Sequence, residues 1–362
     1  MLIDNATGRI PMSSSISVAA ADYVDFVGRL LIAAGTPQAH ACIVATALVD
    51  ADIEGLGSHG TMLLPMYLDR ILSGSISPGT EGLVISDTGT RIVLDAQNGL
   101  GHVVAERATK LVIAGARAHG LAAVAVRNAF HFGAAGRFAR AMALDGCIGL
   151  VMANTRPLLP APGGAERVVG NNPVAIAVPS DGDPVVLDLA LSAGAMGKIR
   201  LAEKQNRPIP EGWASTADGL PTTDASEAIK GMLLPAAGAK GFGLAVLIDM
   251  IVGGLSAGAI GDEVQPLYGD LSKPYGCSNL FLAIDIEGFR PLEAFTGAVA
   301  TFTGKIRQSR RVPGAEAVRL PGDRAARAHA GFSGTCEIAV ATIAALRESA
   351  RRLNIDIPNQ LS

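Results

Sequence analysis

Charge and aromatic rings are both scarce in this 362-residue chain: charged residues make up 17% and aromatics 4%, with a single tryptophan, Trp213. Low charge beside 49% hydrophobic residues excludes a disordered chain. A net charge of −3 leaves no basic footprint for nucleic acid. The four cysteines, Cys42, Cys147, Cys277 and Cys336, form no CxxC pair, and buried free thiols in a reducing compartment are expected. No His/Cys/Asp/Glu group has metal-ligand spacing, so no metal is expected. The longest apolar stretch, Leu244 to Leu255, is interrupted by Asp249, and no membrane span is expected. No basic region precedes an apolar run near Met1, and the expected location is the cytoplasm. A GxGxxG turn between strand and helix, a Walker lysine pattern and a GxSxG elbow are all missing, which excludes the usual dinucleotide, nucleotide and hydrolase signatures.

What the chain has is alanine and 43 glycines, which permit close backbone packing. A mean hydropathy of +0.35 is compatible with extensive burial between subunits. The length suits two domains, or one with a large insertion. Residues 1 to 16 read as a polar arm, and Val18 to Asp52 as two helices broken at Gly35-Thr36-Pro37, with Thr36 as N-cap. Leu63 to Ser73 reads as a helix, Leu83 to Asp95 as a strand pair, His102 to His119 as an amphipathic helix and Leu121 to Val126 as a buried strand. A helix over 134–144 and strands over 148–153, 174–179 and 185–187 follow. Helices are expected over 196–205, 241–257, 295–307 and 334–353, and a strand over 279–286, with 206–235 irregular.

Several residues can carry chemistry. Ser58-His59-Gly60 offers a group that titrates near neutrality, between glycines that let a ligand approach. Alone, a loop histidine is more often a surface group than a catalyst. His131-Phe132-Gly133-Ala134-Ala135-Gly136 follows a strand and opens a helix. It reads equally as a satisfied histidine or as N–H groups presented to a phosphate or carboxylate. Lys240 and Gly241 open another helix and suit an anion. Asn171 and Asn172 lie in a tight turn where two amides can bond a carboxylate, and Asp188 and Lys198 are candidate polar groups nearby in sequence.

In order along the chain, these pieces resemble the second-type, non-Rossmann malate/lactate dehydrogenase family. That family includes ureidoglycolate, sulfolactate, diketogulonate and hydroxycarboxylate dehydrogenases and cyclic imino-acid reductases. The matching motifs are Ser58 to Gly60 with Pro65 and Tyr67, Asn128 to Gly133, Gly170 to Pro173, Asp188 to Ser192 and Gly197-Lys198. Ile209 to Trp213, Pro221 to Thr223, Gly238 to Gly241 and Leu320 to Asp323 complete the match, which spans nearly the whole chain.

The resemblance implies an α/β (α+β) fold: a largely antiparallel sheet flanked by helices over 84–307 binds NAD or NADP. A helical domain would be built from 1–83 with 308–362 returning to it. It implies a homodimer with no nucleic-acid or membrane partner, acting on a small 2-oxo/2-hydroxy acid. His59 would be the proton donor or acceptor, supported by Ser58, with His131 sharing that assignment and Lys198 near the reacting oxygen. His131, Phe132, Gly133, Ala134, Ala135, Asp188, Leu189, Ala190, Ala239, Lys240, Gly241, Pro321, Gly322 and Asp323 would hold the cofactor.

Where many members carry an arginine three positions past the glycine, a clamp for a substrate carboxylate, this chain has Leu63. That points to a more apolar acyl side chain at Leu63, beside Asn171 and Asn172. Lys198 stands where imino-acid reductases place an aspartate, and it favours a 2-oxo acid over an imine. A cyclic imino-acid reductase, a ureidoglycolate-type dehydrogenase and a catalytically dead binding protein are the competing readings.

Overall fold

The computed structural model describes residues 15–361. Most of the expected polar arm lies outside them, and residues 15 and 16 already belong to a strand. The chain opens with β1 (Ser15–Ala19), α1 (Ala20–Ala33) and α2 (Gln38–Ile53), then 3-10 turns at Gly57–His59 and Thr61–Leu63, and α3 (Leu64–Leu72). Next come β2 (Leu83–Asp87), β3 (Arg91–Asp95), α4 (Gly101–His119), β4 (Leu121–Ala129), α5 (Ala135–Leu144) and β5 (Cys147–Ala153). They are followed by β6 (Val174–Val178), β7 (Val185–Leu189) and α6 (Met196–Lys204). The stretch expected to be irregular is a small three-stranded sheet of β8 (Ala214–Ser215), β9 (Pro221–Thr222) and β10 (Met232–Leu233) around α7 (Ala225–Lys230). The chain closes with α8 (Ala239–Ser256), β11 (Cys277–Asp285), α9 (Leu292–Arg307), α10 (Asp323–Ala330), β12 (Thr335–Ala339) and α11 (Val340–Leu353).

Seven strands form the main sheet in the order β2-β3-β4-β11-β5-β6-β7. Only β3 and β4 run parallel, and every other neighbouring pair is antiparallel. Successive side chains of a strand face opposite ways, and the central strands use this to fill two cores. Val124, Val126, Val151 and Phe281 join the core under α4 and α5, whereas Ala125, Met152 and Leu280 face the core under α8. Small residues let the helices sit close. A Cβ at Gly149 would come 2.7 Å from the Ala139 carbonyl of α5, and one at Gly115 of α4 would come 2.7 Å from the Ala122 Cβ.

Both chain ends meet in a helical layer beyond α4. α11 packs on α1 and α3, and β1 pairs antiparallel with β12 in a two-stranded ribbon. The ribbon replaces the helical start expected at 334. Thr36 is not the cap of α2: the helix begins at Gln38 behind Pro37, and the Thr36 hydroxyl is buried without a partner.

α8 is long and apolar enough to cross a membrane by length and composition. Here it packs on β4, β5 and β11. Asp249, 3% exposed, accepts hydrogen bonds from the Asn154 amide at 2.9 Å and the Asn172 amide at 3.3 Å. Its other side leaves Leu244, Leu247, Met250, Ile251 and Leu255 exposed. All four cysteines are free, and Cys42 is exposed, unlike the buried state expected of it.

Candidate active site

The Ser58–Gly60 loop rests on a carboxylate. Asp52, in the last turn of α2, accepts from the Thr61 amide at 3.0 Å and the Thr61 hydroxyl at 2.5 Å, and Tyr23 Oη lies 2.6 Å from that hydroxyl. Any Cβ at Gly60 would collide with the Asp52 carboxylate. Burial pushes Asp52 up to about 6, against the pull of the two Thr61 bonds. The sequence pointed to His59 and gave no sign of this acid, seven residues earlier on a helix.

β4 delivers the second histidine. The strand ends at Ala129, and the Phe130 ring packs edge-on against Tyr67 of α3, at 5.0 Å, and against Tyr275, at 5.9 Å. His131 Nδ1 then lies 2.7 Å from the Tyr67 hydroxyl. Tyr67 is 0% exposed, and among the described residues its hydroxyl has only one other partner, the His131 carbonyl at a weaker 3.4 Å. A phenol donating to Nδ1 leaves the imidazole proton on Nε2.

The two histidines come together. Their rings stack at 5.9 Å with 16° between planes. Ser58 Oγ lies 3.1 Å from His59 Nδ1. Among the described residues neither Nε2 has a hydrogen-bond partner. Burial lowers the pKa of His59, and burial plus repulsion from His59 brings His131 down to about 3. Both rings are therefore neutral at pH 7, each with Nε2 free for a ligand. A third imidazole, His102 in the first turn of α4, is buried with Nδ1 unpartnered. Gly133, at φ 79°, makes room for it, since a Cβ there would come 2.8 Å from His102 Nε2.

The start of α5 is not an open anion site. Asp188, at the end of β7, accepts from the Gly136 amide at 2.8 Å, so the protein's own carboxylate occupies that helix N-terminus. A Cβ at Gly136 would stand 2.9 Å from the same oxygen. Burial raises the Asp188 pKa, although the Gly136 bond opposes it. Phe132 and Ala135 are core side chains, leaving their backbones as the only groups for a ligand. The Pro321 to Asp323 turn docks on β7, with the Val186 amide 3.4 Å from the Pro321 carbonyl. Asp323 accepts from the Leu320 amide at 2.8 Å and from Arg307 at 2.9 Å, which fixes that turn. Leu189 is half-buried and Ala190 exposed just beyond Asp188.

Three of the expected site residues have surroundings of their own in the fold. Leu63 is 3% exposed and belongs to the helical core. Asn172 is 0% exposed: its oxygen accepts from the Thr155 amide at 2.9 Å, and its amide donates to the Ala245 carbonyl at 2.9 Å and to Asp249. Lys198 lies on α6 with its ammonium 6.0 Å from the Trp213 ring, and no hydrogen bond or ion pair joins it to either histidine among the described residues. Asn171 stays half-buried, its oxygen 3.0 Å from the Thr155 hydroxyl.

Ala239 and Lys240 open α8 behind Gly238, and both are exposed, while Gly241 is buried. Gly238 and Ala239 border a cavity of about 580 Å³ that also touches Gly163, Gly164, Ser215 and Asp218. The Ser215 hydroxyl in its wall is buried without a partner. The cavity reaches Ala239 and neither histidine.

The family model for malate/L-lactate dehydrogenase matches residues 18–346. This chain belongs to that family. It is 39% identical over 307 residues to a malate dehydrogenase of Pyrococcus abyssi, covering 83% of this chain and 84% of the relative. It is 37% identical to a (2R)-3-sulfolactate dehydrogenase (NADP(+)) of Chromohalobacter salexigens (81% and 86% covered). It is 34% identical to a ureidoglycolate dehydrogenase (NAD(+)) of Escherichia coli (81% and 83%). Among solved structures, sulfolactate dehydrogenase of Methanocaldococcus jannaschii superposes with a TM-score of 0.88 at 32% identity, over 95% of this chain and 98% of that one. A delta1-piperideine-2-carboxylate reductase of Pseudomonas syringae pvar. tomato gives 0.83 at 28% identity, over 92% and 99%. These relatives are dehydrogenases of small hydroxy acids together with one imine reductase.

Proposed function

We propose that the protein transfers a hydride reversibly between NAD or NADP and a 2-hydroxy acid/2-oxo acid pair, with His59 moving the proton. The observation that carries this reading is the stacked His59–His131 pair with both Nε2 atoms unpartnered. In the reductive direction His59, protonated at Nε2, gives its proton to the carbonyl oxygen. In the oxidative direction the neutral ring takes it from the hydroxyl. Two half-buried imidazoles 5.9 Å apart resist carrying two positive charges, so the pair handles one proton at a time. His131, the more strongly depressed of the two, stays neutral and presents Nε2–H to the same oxygen, held in that tautomer by Tyr67.

The donor set fits a dinucleotide. Lys240 is exposed at the N-terminus of α8, where an anion is favoured, with no hydrogen bond or ion pair among the described residues, and the orphan Ser215 hydroxyl stands in the cavity beside Ala239. Lys240, Ala239, Gly241, Asp188, Leu189, Ala190 and the Pro321–Asp323 turn would hold the coenzyme, which supplies the hydride chemistry when bound. A homodimer in the cytoplasm belongs to the same reading, with the exposed apolar face of α8 as the surface a second copy would cover.

Reduction of a cyclic imino acid is the second reading, supported by the piperideine-carboxylate reductase neighbour, because an imine nitrogen can take the same proton. Lys198, packed on Trp213, does not separate the two. Nicotinamide absorbance with both coenzymes, against 2-oxo acids, a ureidoglycolate-type substrate and a piperideine carboxylate, tests the proposal. Turnover of a 2-oxo acid that His59→Ala abolishes while coenzyme still binds supports it. Turnover of the imine alone, or near-full activity of His59→Ala, refutes it.

A further inference from the structure

A 2-oxo acid needs a cation for its carboxylate, and the residue three places past Gly60 is the buried, uncharged Leu63. The sheet offers one. β4 exits through Ala129 to His131, β5 exits at the same end through Ala153 to Arg156, and β11 enters between them from Tyr275. Ala129 pairs with Cys277 and Ala153 with Asn279. Strands spaced by ~4.8 Å place these two exits about 10 Å apart, a gap that an arginine and a small acid can span.

Arg156 is half-buried, yet no hydrogen bond or ion pair holds its guanidinium among the described residues. That is unusual, because a desolvated guanidinium normally finds an acid or several carbonyls. The other confined arginines do so. Arg70 donates to the carbonyls of Pro266, Leu267 and Lys273, Arg137 pairs with Asp50, and Arg127 pairs with Asp95. The groups that act electrostatically on Arg156 are Arg167, Tyr275 and Arg200, with no carboxylate among them. Burial first, then the two arginines, lowers its pKa. Arg200 is exposed and, among the described residues, also has no hydrogen bond or ion pair. Tyr275 ties this basic spot to the histidines, since the Phe130 ring that packs on it also packs on Tyr67, whose hydroxyl holds His131.

We propose that Arg156 is the substrate-carboxylate clamp of this protein, with Arg200 adding positive field, so that the carboxylate lies toward the β5 exit and the reacting carbon toward the histidine pair. This rests on the hydride-transfer reading above and names the residue that selects its acid substrates.

The test compares a 2-oxo acid with its matching 2-oxo amide in wild type, Arg156→Gln and Arg156→Lys. Arg156→Gln should raise KM for the acid about 100-fold, while KM for the amide and for the coenzyme stays within about twofold. Arg156→Lys should recover part of the acid preference, because it keeps the charge and loses the fork. An unchanged KM for the acid, or an equal loss on acid and amide, overturns the assignment. If Arg156→Gln does not fold by circular dichroism, the same acid/amide split is read on Arg156→Lys. If the wild type reduces no 2-oxo acid, the hydride-transfer reading fails by itself. The clamp is then judged by calorimetry with oxamate: weaker binding to Arg156→Gln supports it, and binding equal to wild type, or none to either, overturns it.

Discussion

Replacing Tyr67 by phenylalanine isolates one atom in the proposed proton machinery. The ring is 0% exposed, packs edge-on against Phe130 and keeps that packing in the variant, so the only loss is the hydroxyl 2.7 Å from His131 Nδ1. Removing the donor leaves Nδ1 of a half-buried imidazole unsatisfied, at a cost of about 1–3 kcal/mol. Without that donor nothing biases the ring toward the Nε2–H tautomer, and a proton on Nδ1 is taken away from Nε2, where the substrate oxygen would sit. If about 1.4–2.7 kcal/mol of that cost reaches the transition state, kcat falls roughly 10- to 100-fold. The melting temperature falls by only a few degrees, because about 1 kcal/mol shifts a chain of this size by roughly 2–4 °C or less. Steady-state rates in both directions, with coenzyme affinity as a control, measure the first effect. Nitrogen-15 NMR of the histidines measures the second, as a change of tautomer at His131 and none at His59. A kcat within twofold of wild type, or an unchanged His131 tautomer, refutes the role given to Tyr67.

Other outcomes follow from the same geometry. Since burial lowers the pKa of His59, kcat/KM for oxidation should be flat through neutrality. It should fall only as the pH drops below the ordinary histidine range near ~6.5, where the base becomes protonated; a fall centred above that range contradicts the assignment. Asp52 is raised to about 6, so its contribution favours the fold below the unfolded carboxylate range and is lost as the pH rises through 6. The melting temperature of Asp52→Asn relative to wild type should therefore improve from pH 4 to pH 8, by at most about 3 kcal/mol in stability; a constant difference would show that the carboxylate is not strained. Leu247→Glu, at an exposed position on α8, should leave the fold intact by circular dichroism and convert the proposed dimer to monomer by light scattering; a dimer mass unchanged by the substitution locates the interface elsewhere, and a monomeric wild type refutes the dimer.

The motifs were legible because each is local: a glycine-flanked histidine, a strand that ends at Phe130-His131, a turn of two asparagines. What those residues touch was not. Asn172 reads like an exposed turn amide, but it is drawn inward by Asp249, 77 positions later, the same acid that looked like a mere interruption of an apolar helix. Leu63 reads as a change in the substrate pocket, yet a leucine at a helix entry gains more by joining the core than by lining a cleft. Ser15–Ala19 and Thr335–Ala339 are strands only because they pair with each other across 320 residues, and each runs straight into a helix, which hides its alternation. Tyr67 belonged to a matched motif, but its hydroxyl acquires a role only when α3 and the end of β4 are packed together.

The scarcity of aromatics takes on a different meaning beside this geometry. With rings at 4% of the chain, every close ring pair among the described residues lies in one region around His131. Phe130 is pinned by Tyr67 and Tyr275, and Phe132 by Phe138 and Phe281. The residues before and after His131 are thus anchored on different clusters, and Tyr67 fixes the ring between them. Proton transfer loses rate steeply when donor and acceptor are misplaced by even about an ångström. Small residues suffice elsewhere in this fold, where helix and sheet need only approach each other closely. The close ring pairs gather where a side chain has to hold its position.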